Sequence, residues 1–278
     1  MKYRYFIPML AFILSSCSQD EKKASELLSR AEQSFQAKDF SLAKLRIDSI
    51  RTMYPKVFEV RRAAIKLMQQ VDLSEQKQTL NYLDSLMTVK QAELDAIKEK
   101  FVLEKDAEYQ ETGNYFYPTQ VVEKNVGRTF LRASVSELGE MSLTSIYCAG
   151  GKIHHNAVKV SCGDEFAQTP SSNDSYETTD LGRHIEKADY KMGNDGGVIG
   201  FIIAHKDEKS LKLEFIGDRT FRTVMYQPDI KAIVEVAGLA QILSSMEEIR
   251  KEQKEANLKI QFVNKKIEEA EKQENAQN

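Results

Sequence analysis

The sequence predicts an α+β fold. An N-terminal helical hairpin is followed by an antiparallel coiled-coil stalk, formed by a long central helix and the C-terminal helix, with an antiparallel β-sandwich or small barrel inserted between the two as a head. Three observations predict it. Leu239, Ile242, Met246, Ile249, Gln253, Ala256, Ile260, Val263, Ile267 and Ala270 alternate three- and four-residue spacings, an a/d register with Gln253 as its polar slot. Leu80, Leu83, Met87, Leu94, Ile97 and Phe101 carry the same register, with Lys90 the misfit. Between these runs, Val126 to Tyr226 loses the helical period and breaks into short apolar segments cut by glycine turns. A sustained 3.5-residue period keeps one narrow seam facing a partner helix, so each stripe needs a mate. Two stripes flanking a β block predict pairing within one chain, with pairing between two chains as the alternative.

Composition bounds the rest. At 278 residues the chain holds one or two domains. Its net charge of −3 and its mixed acids and bases give no reason for nucleic acid to bind. No internal run approaches the roughly 18 to 20 apolar residues of a membrane-spanning helix.

The start is the most specific segment. Lys2 and Arg4 are basic, Tyr5 to Leu14 is apolar, and Leu14-Ser15-Ser16-Cys17 ends the run. This order is that of an export signal rather than a spanning helix. The tetrapeptide resembles the lipobox of bacterial lipoproteins, a resemblance confined to residues 1–17. It implies cleavage before Cys17, acylation of Cys17, and anchoring to a lipid bilayer, which several acyl chains make stable at about 0.8 kcal/mol per buried methylene. The acidic pair Asp20-Glu21 loosely resembles the surface-export signals of Bacteroidetes lipoproteins, leaving periplasm-facing and cell-surface positions on the outer membrane both open.

Residues 18–72 read as a short polar tether, 18–24, and a helical hairpin region. Leu27, Ala31, Phe35, Phe40, Ala43, Ile47, Ile50 and Pro55 resemble one tetratricopeptide repeat, with small Ala31 and Ala43 at the helix contact and Lys38 at the usual turn glycine. A single such unit cannot bury its faces by stacking, so the resemblance implies a hairpin and no peptide-binding superhelix. Asp72 with Glu75 reads as a cap opening a stalk helix over 73–112 that Gly113-Asn114 stops. The aromatics Tyr115, Phe116 and Tyr117 are expected to plug the junction of stalk and head.

The head, 113–228, is predicted to contain seven or eight strands. Arg128–Glu137 and Met141–Ala149 flank Gly139-Glu140, and Lys152–Cys162 follows Gly150-Gly151. A mobile polar loop spans Gln168–Thr179. His184–Met192 and Val198–His205 flank Asn194-Asp195-Gly196-Gly197, a hairpin signal. Leu211–Ile216 and Arg219–Tyr226 complete the set. Pro228 and Asp229 then open the C-terminal helix over 229–278, whose tail from Glu268 lacks apolar residues and is expected to fray.

Few residues suggest chemistry. Cys148, His154, His155 and Cys162 are soft ligands, but the cysteines lie far apart for a zinc knuckle and adjacent histidines on a strand face opposite ways. Cys148 and Cys162 form either a disulfide, as an exported protein permits, or two buried thiols. Asp164, Glu165, Asp174, Glu177 and Asp180 lack calcium-loop spacing and read as solvated acids. Arg183, His184, Lys187 and Lys191 give a modest basic face. No nucleophile elbow or phosphate-binding glycine loop is present, so no catalytic residue, metal or cofactor is expected. The expected role is that of a non-catalytic envelope lipoprotein whose β head binds a protein or glycan. The alternatives are an assembly scaffold acting through its helical base and, third, a hydrolase with a site on the head.

Overall fold

The structure, a computed structural model, describes the backbone of residues 13–106, 108–180 and 182–277, and side chains from residue 19 onward within those spans to 276. Lys2, Arg4 and Tyr5 to Phe12 of the predicted leader lie outside the described residues, as does the side chain of Cys17. The chain divides into two compact units, one of Met1–Ser85 with Lys251–Asn278 and one of Leu86–Arg250.

The first unit is helical. Helix α1 spans Ile13–Gln36, α2 Phe40–Met53, and two long helices, α3 (Phe58–Ile97) and α5 (Gln227–Gln277), contribute to both units. The expected tether at 18–24 is helical instead: Glu21, Lys22 and Lys23 are good helix formers, and Ala24 continues the buried frame of Ala31. Between α1 and α2 the chain turns at Lys38, which takes a left-handed φ of 59°, and Asp39 caps α2 by accepting from the Leu42 N–H at 3.0 Å. Ala31 and Ala43 are fully buried, with Ile47, Ile50, Leu67 and Val71 in the same core. The predicted cap at Asp72 does not form. Residues 58–97 make one continuous helix, and the Asp72 and Glu75 carboxylates both meet Lys44 Nζ at 2.6 Å. Burial works against that ammonium, but the two carboxylates more than compensate and raise its pKa.

Within this unit α3 meets the end of α5 at two points. Lys66 Nζ lies 2.9 Å from Glu274, and Gln253 Nε2 donates to Asp84 at 2.7 Å. The pairings 66 with 274 and 84 with 253 require opposite chain directions. Along 251–270 only Gln253, Ala256, Ile260, Val263, Ile267 and Ala270 escape full exposure, and these are the a/d slots of the sequence register. The tail expected to fray from Glu268 stays helical to Gln277.

The second unit carries ten strands among the described residues: β1 (Val102–Glu104), β2 (Asn114–Phe116), β3 (Phe130–Ser136), β4 (Met141–Ala149), β5 (Ala157–Cys162), β6 (Glu165–Gln168), β7 (Ser175–Asp180), β8 (Arg183–Lys191), β9 (Lys212–Ile216) and β10 (Phe221–Val224). They form two antiparallel sheets, ordered β1-β2-β3-β4-β8-β7 and β10-β9-β5-β6. Both sheets keep free edges, so the closed-barrel alternative is excluded. Leu131, Leu143 and Tyr190 of the larger sheet share one apolar core with Val158, Leu213 and Phe215 of the smaller, and with Ile233, Leu239 and Met246 of α5.

Three predicted elements are corrected. The stalk helix does not reach 112: α3 ends at Ile97, a 3-10 turn covers Lys98–Lys100, and β1 then pairs with β2. Val102 and Leu103 are adjacent apolar residues that a strand accommodates, and Glu137 closes the following loop by accepting from Lys105 Nζ at 3.0 Å and Gly113 N at 2.8 Å. The loop at 168–179 is not wholly irregular, since its second half forms the edge strand β7. Val198–His205 is not a strand and its hairpin does not exist: helix α4 spans Val198–Ala204, and Asp195 accepts from Ile199 N at 2.7 Å at its start. Val198, Ile199 and Ile202 are its buried residues, a helical spacing that a seven-residue apolar run does not disclose beforehand.

Two glycines mark where backbone shape is fixed. Gly139, at φ 84° in the β3–β4 turn, would place a Cβ 2.2 Å from the Ser244 backbone N of α5. Gly139→Ala is therefore expected to destabilise the chain by more than the about 1–3 kcal/mol of a strained backbone alone, read by chemical denaturation. Lys38 is the converse. Its left-handed conformation costs about 1–2 kcal/mol, so Lys38→Gly is expected to raise stability by up to about 1 kcal/mol after the entropy cost of glycine, seen as a higher melting temperature.

Candidate functional site

Alternation along β4 and β8 sends Leu143, Ser145 and Tyr147, and Glu186, Ala188 and Tyr190, to the buried face of the larger sheet. The connection 150–156 then carries the chain from β4 to β5 of the other sheet, passing over that face. It is held there by one carboxylate. Glu186 Oε1 accepts from the Ile153 N–H at 2.8 Å, and Oε2 from the His155 N–H at 2.8 Å and ring Nδ1 at 3.1 Å. His155 Nε2 lies 2.8 Å from Ser145 Oγ, which sits 3.4 Å from the Tyr190 hydroxyl.

The charge states follow from burial. Desolvation pushes the His155 pKa below its ordinary value in spite of Glu186. Burial also works against the Glu186 carboxylate, but the backbone N–H groups of His155 and Ile153 overcome it and hold the pKa below the usual range. The pair is thus neutral imidazole with carboxylate. With Nδ1–H donating to Glu186, Nε2 is left to accept the Ser145 hydroxyl proton.

This order of hydroxyl, imidazole and carboxylate is that of a nucleophilic hydrolase. Its surroundings are not. Ser145 and the His155 side chain have no exposed surface and Glu186 has 1%. Phe215 and Tyr147 pack edge-on to the imidazole at 5.2 and 6.3 Å. A carbonyl carbon cannot reach Ser145, so the row is a buried clamp on the crossover between the sheets.

The opposite face of the same sheet is open. The segment 117–129, with a 3-10 turn at Val122–Lys124, lies along β3 and is pinned by its side chains. Gln120 is fully buried, donating to Leu131 O at 2.9 Å and accepting from Ala133 N at 2.8 Å, as a neighbouring strand would. Asn125 donates to the carbonyls of Thr119 and Val121, both at 2.8 Å. Between this segment and the sheet lies a cavity of about 220 Å³. Phe130, Ile146, Cys148 and Ile185 give it an apolar lining, with Arg128, Arg132, Lys187 and Asp180 as its charged residues. Arg128 is committed to Asp229 at 2.7 Å and to Asn125. Burial raises the Asp229 pKa in spite of that arginine.

The predicted site residues are scattered. Cys148 on β4 and Cys162 on β5 are free thiols on different sheets, so the disulfide is not formed here. His154 and His155 precede β5 rather than lying in it, and His154, at φ 53°, turns to Glu177 at 2.7 Å. That bond raises the His154 pKa. Glu165 instead meets His205 at 3.0 Å, so the acids Asp164, Glu165, Asp174, Glu177 and Asp180 do not converge, and no metal-ligating group of three is found among the described residues. Arg183, Lys187 and Lys191 share the outer face of β8, while His184 bonds Thr179 at 2.9 Å. Tyr115 and Phe116 are buried inside the β unit, with Phe116 under Arg132 and Tyr117 edge-on to Phe101 at 6.1 Å. Compared with protein-family models, curated proteins and solved structures, the chain matches none.

The Ser145 row escapes a reading by motif because the register of β4 and β8 sets Ser145 and Glu186 on one face and the irregular connection 150–156 brings His155 to them. One signal was available: the alternation Glu186, Ala188, Tyr190 places a carboxylate on the parity of buried residues, which demands donors. Glu186→Gln presents an amide where three donors converge and is expected to cost about 3 kcal/mol in chemical denaturation. Both folded pKa values lie below the ordinary 6.5 of histidine and 4.5 of glutamate. The unfolded chain therefore binds more protons, and the clamp contributes fully above the histidine value and loses stability as pH falls below it. His154 has the opposite sign but is half-exposed and screened. Melting temperatures taken from neutral pH downward are expected to fall, with a smaller slope in Glu186→Gln.

Proposed function

We propose that the chain is an envelope lipoprotein of a Gram-negative bacterium, of Bacteroidetes type, held on the outer membrane by acylated Cys17. Its role is non-catalytic binding of a protein or glycan partner by the β unit. The observation that carries this reading is a contrast between the two faces of one sheet. The row with the order of a catalytic triad is sealed, whereas the cavity lined by Arg132 and Lys187 lies on the outer face of the same sheet. We read α3 and α5 as an antiparallel coiled coil closed within one chain, and the two sheets as a sandwich inserted between them. The buried a/d slots and the opposed contacts of Lys66 and Asp84 support the first. The shared apolar core supports the second.

A scaffold role has one observation of its own. Between α2 and α3 runs a groove of about 270 Å³, lined by Ile47, Ile50, Ala64, Ile65 and Met68 and flanked by Arg51 and Arg61. Such an apolar groove between helices suits a partner helix. Under that reading the helical unit, and not the β unit, retains an outer-membrane complex.

Cys17→Ser is the test of the anchor. Cells expressing it are expected to lose palmitate labelling of the protein and to shift it from the membrane to the soluble fraction. Unchanged labelling and fractionation would overturn the lipoprotein reading.

A further inference from the structure

We infer that the outer-face cavity of the β unit binds a small monocarboxylate with an apolar body, its carboxylate held by Arg132 and Lys187 and its body lying on Phe130 and Ile146. The inference rests on the binding role proposed above and narrows it to a ligand class.

Strand register assembles the site. Phe130 pairs with Ile146, and Ile146 with Lys187, so the three form one row across β3, β4 and β8 on the outer face. Arg132 is the next outward position on β3. The row thus runs from an apolar floor to an ammonium, and Arg132 lines the same cavity from the β3 side.

Two donors there have no partner among the described residues. Arg132 donates through Nε to Gln120 O at 3.0 Å and through Nη2 to Glu104 at 3.2 Å, which leaves Nη1. Lys187 Nζ has neither an ion pair nor a hydrogen bond. Arg132 is also fixed in place, stacked 3.8 Å from the Phe116 ring, so a ligand meets a guanidinium already oriented. Burial lowers the Arg132 pKa in spite of the carboxylates of Glu104, Glu123 and Asp189. A ligand carboxylate on Nη1 gives that donor a charge-assisted partner.

Size and charge set the class. An apolar cavity of about 150 Å³ admits benzene. The 220 Å³ here accommodates a ring or short alkyl chain with its carboxylate. Asp180 also lines the cavity and repels any added negative charge, which weighs more against a dicarboxylate than against a monocarboxylate.

The experiment is calorimetric titration of the Cys17→Ser full chain with octanoate and with benzoate, against octanamide as the uncharged control. At least one acid is expected to bind and the amide to bind at least tenfold more weakly. Lys187→Gln, at an exposed position that folding tolerates, is expected to weaken the acid about tenfold, the loss of one charge-assisted hydrogen bond. Lys191→Gln, on the same face but outside the cavity lining, is expected to leave it unchanged. Equal binding of acid and amide, or an unchanged affinity in Lys187→Gln, would overturn the inference. If neither acid binds while the β unit still captures a glycan or an envelope protein, the ligand class fails and the binding role stands. If none of these binds, both fail.

Discussion

Two apolar stripes, one on α3 and one on α5, set the constraint that the helices must satisfy. In water each would leave a ridge of Leu, Ile, Met and Val uncovered, and burying such a side chain contributes about 1.5–3 kcal/mol. Leu83, Leu94, Phe101, Leu239, Met246, Ile249 and Ala256 are buried, and the other apolar slots are half-buried. Within the helical unit the end of α5 meets α3 in the opposite direction, through Lys66 with Glu274 and Asp84 with Gln253. Lys44 reinforces this on the helical unit, tying α2 to α3 through Asp72 and Glu75.

In the β unit the comparable constraint is polar. A chain crossing from one sheet to another must carry backbone N–H groups through an apolar layer, where each unpaired group costs free energy. Glu186 resolves this by accepting from two of them and from the His155 ring, and the ring passes the demand to Ser145. The carboxylate is stabilised as an anion by those donors, and the crossover is held to one path. The Ser145 row is thereby sealed inside the β unit, and the cavity lined by Arg132 and Lys187 lies on the opposite face of the same sheet.

The sequence disclosed the parts whose signal is local and periodic. Along 251–270 the α5 stripe was legible slot by slot, whereas nearer the β unit Ala240 and Leu243, off that register, are buried and Ile242 is half-buried. Met141–Ala149 was legible to the residue, since alternation and flanking glycines agree. The end of α3 was not, because the a/d register runs on through Phe101 while β pairing of Val102 and Leu103 with Phe116 and Tyr115 depends on residues far along the chain. Val198–Ala204 was misread for a related reason: a short apolar run after Asp-Gly-Gly fits a hairpin strand and a buried helical turn equally, and capping by Asp195 decides between them. The cavity was invisible in the sequence. Phe130, Ile146 and Lys187 are brought side by side only by register, and its wall depends on Gln120 standing in for a strand.

The pairing of the stripes within one molecule is tested most directly by a distance between them. Spin labels at Lys66→Cys and Glu274→Cys, in a chain carrying Cys17→Ser, Cys148→Ala and Cys162→Ser, report the separation of two residues that form an ion pair. The account predicts a short, narrow distance that persists after tenfold dilution with unlabelled protein. A long distance, or a short one that vanishes on dilution, would contradict it.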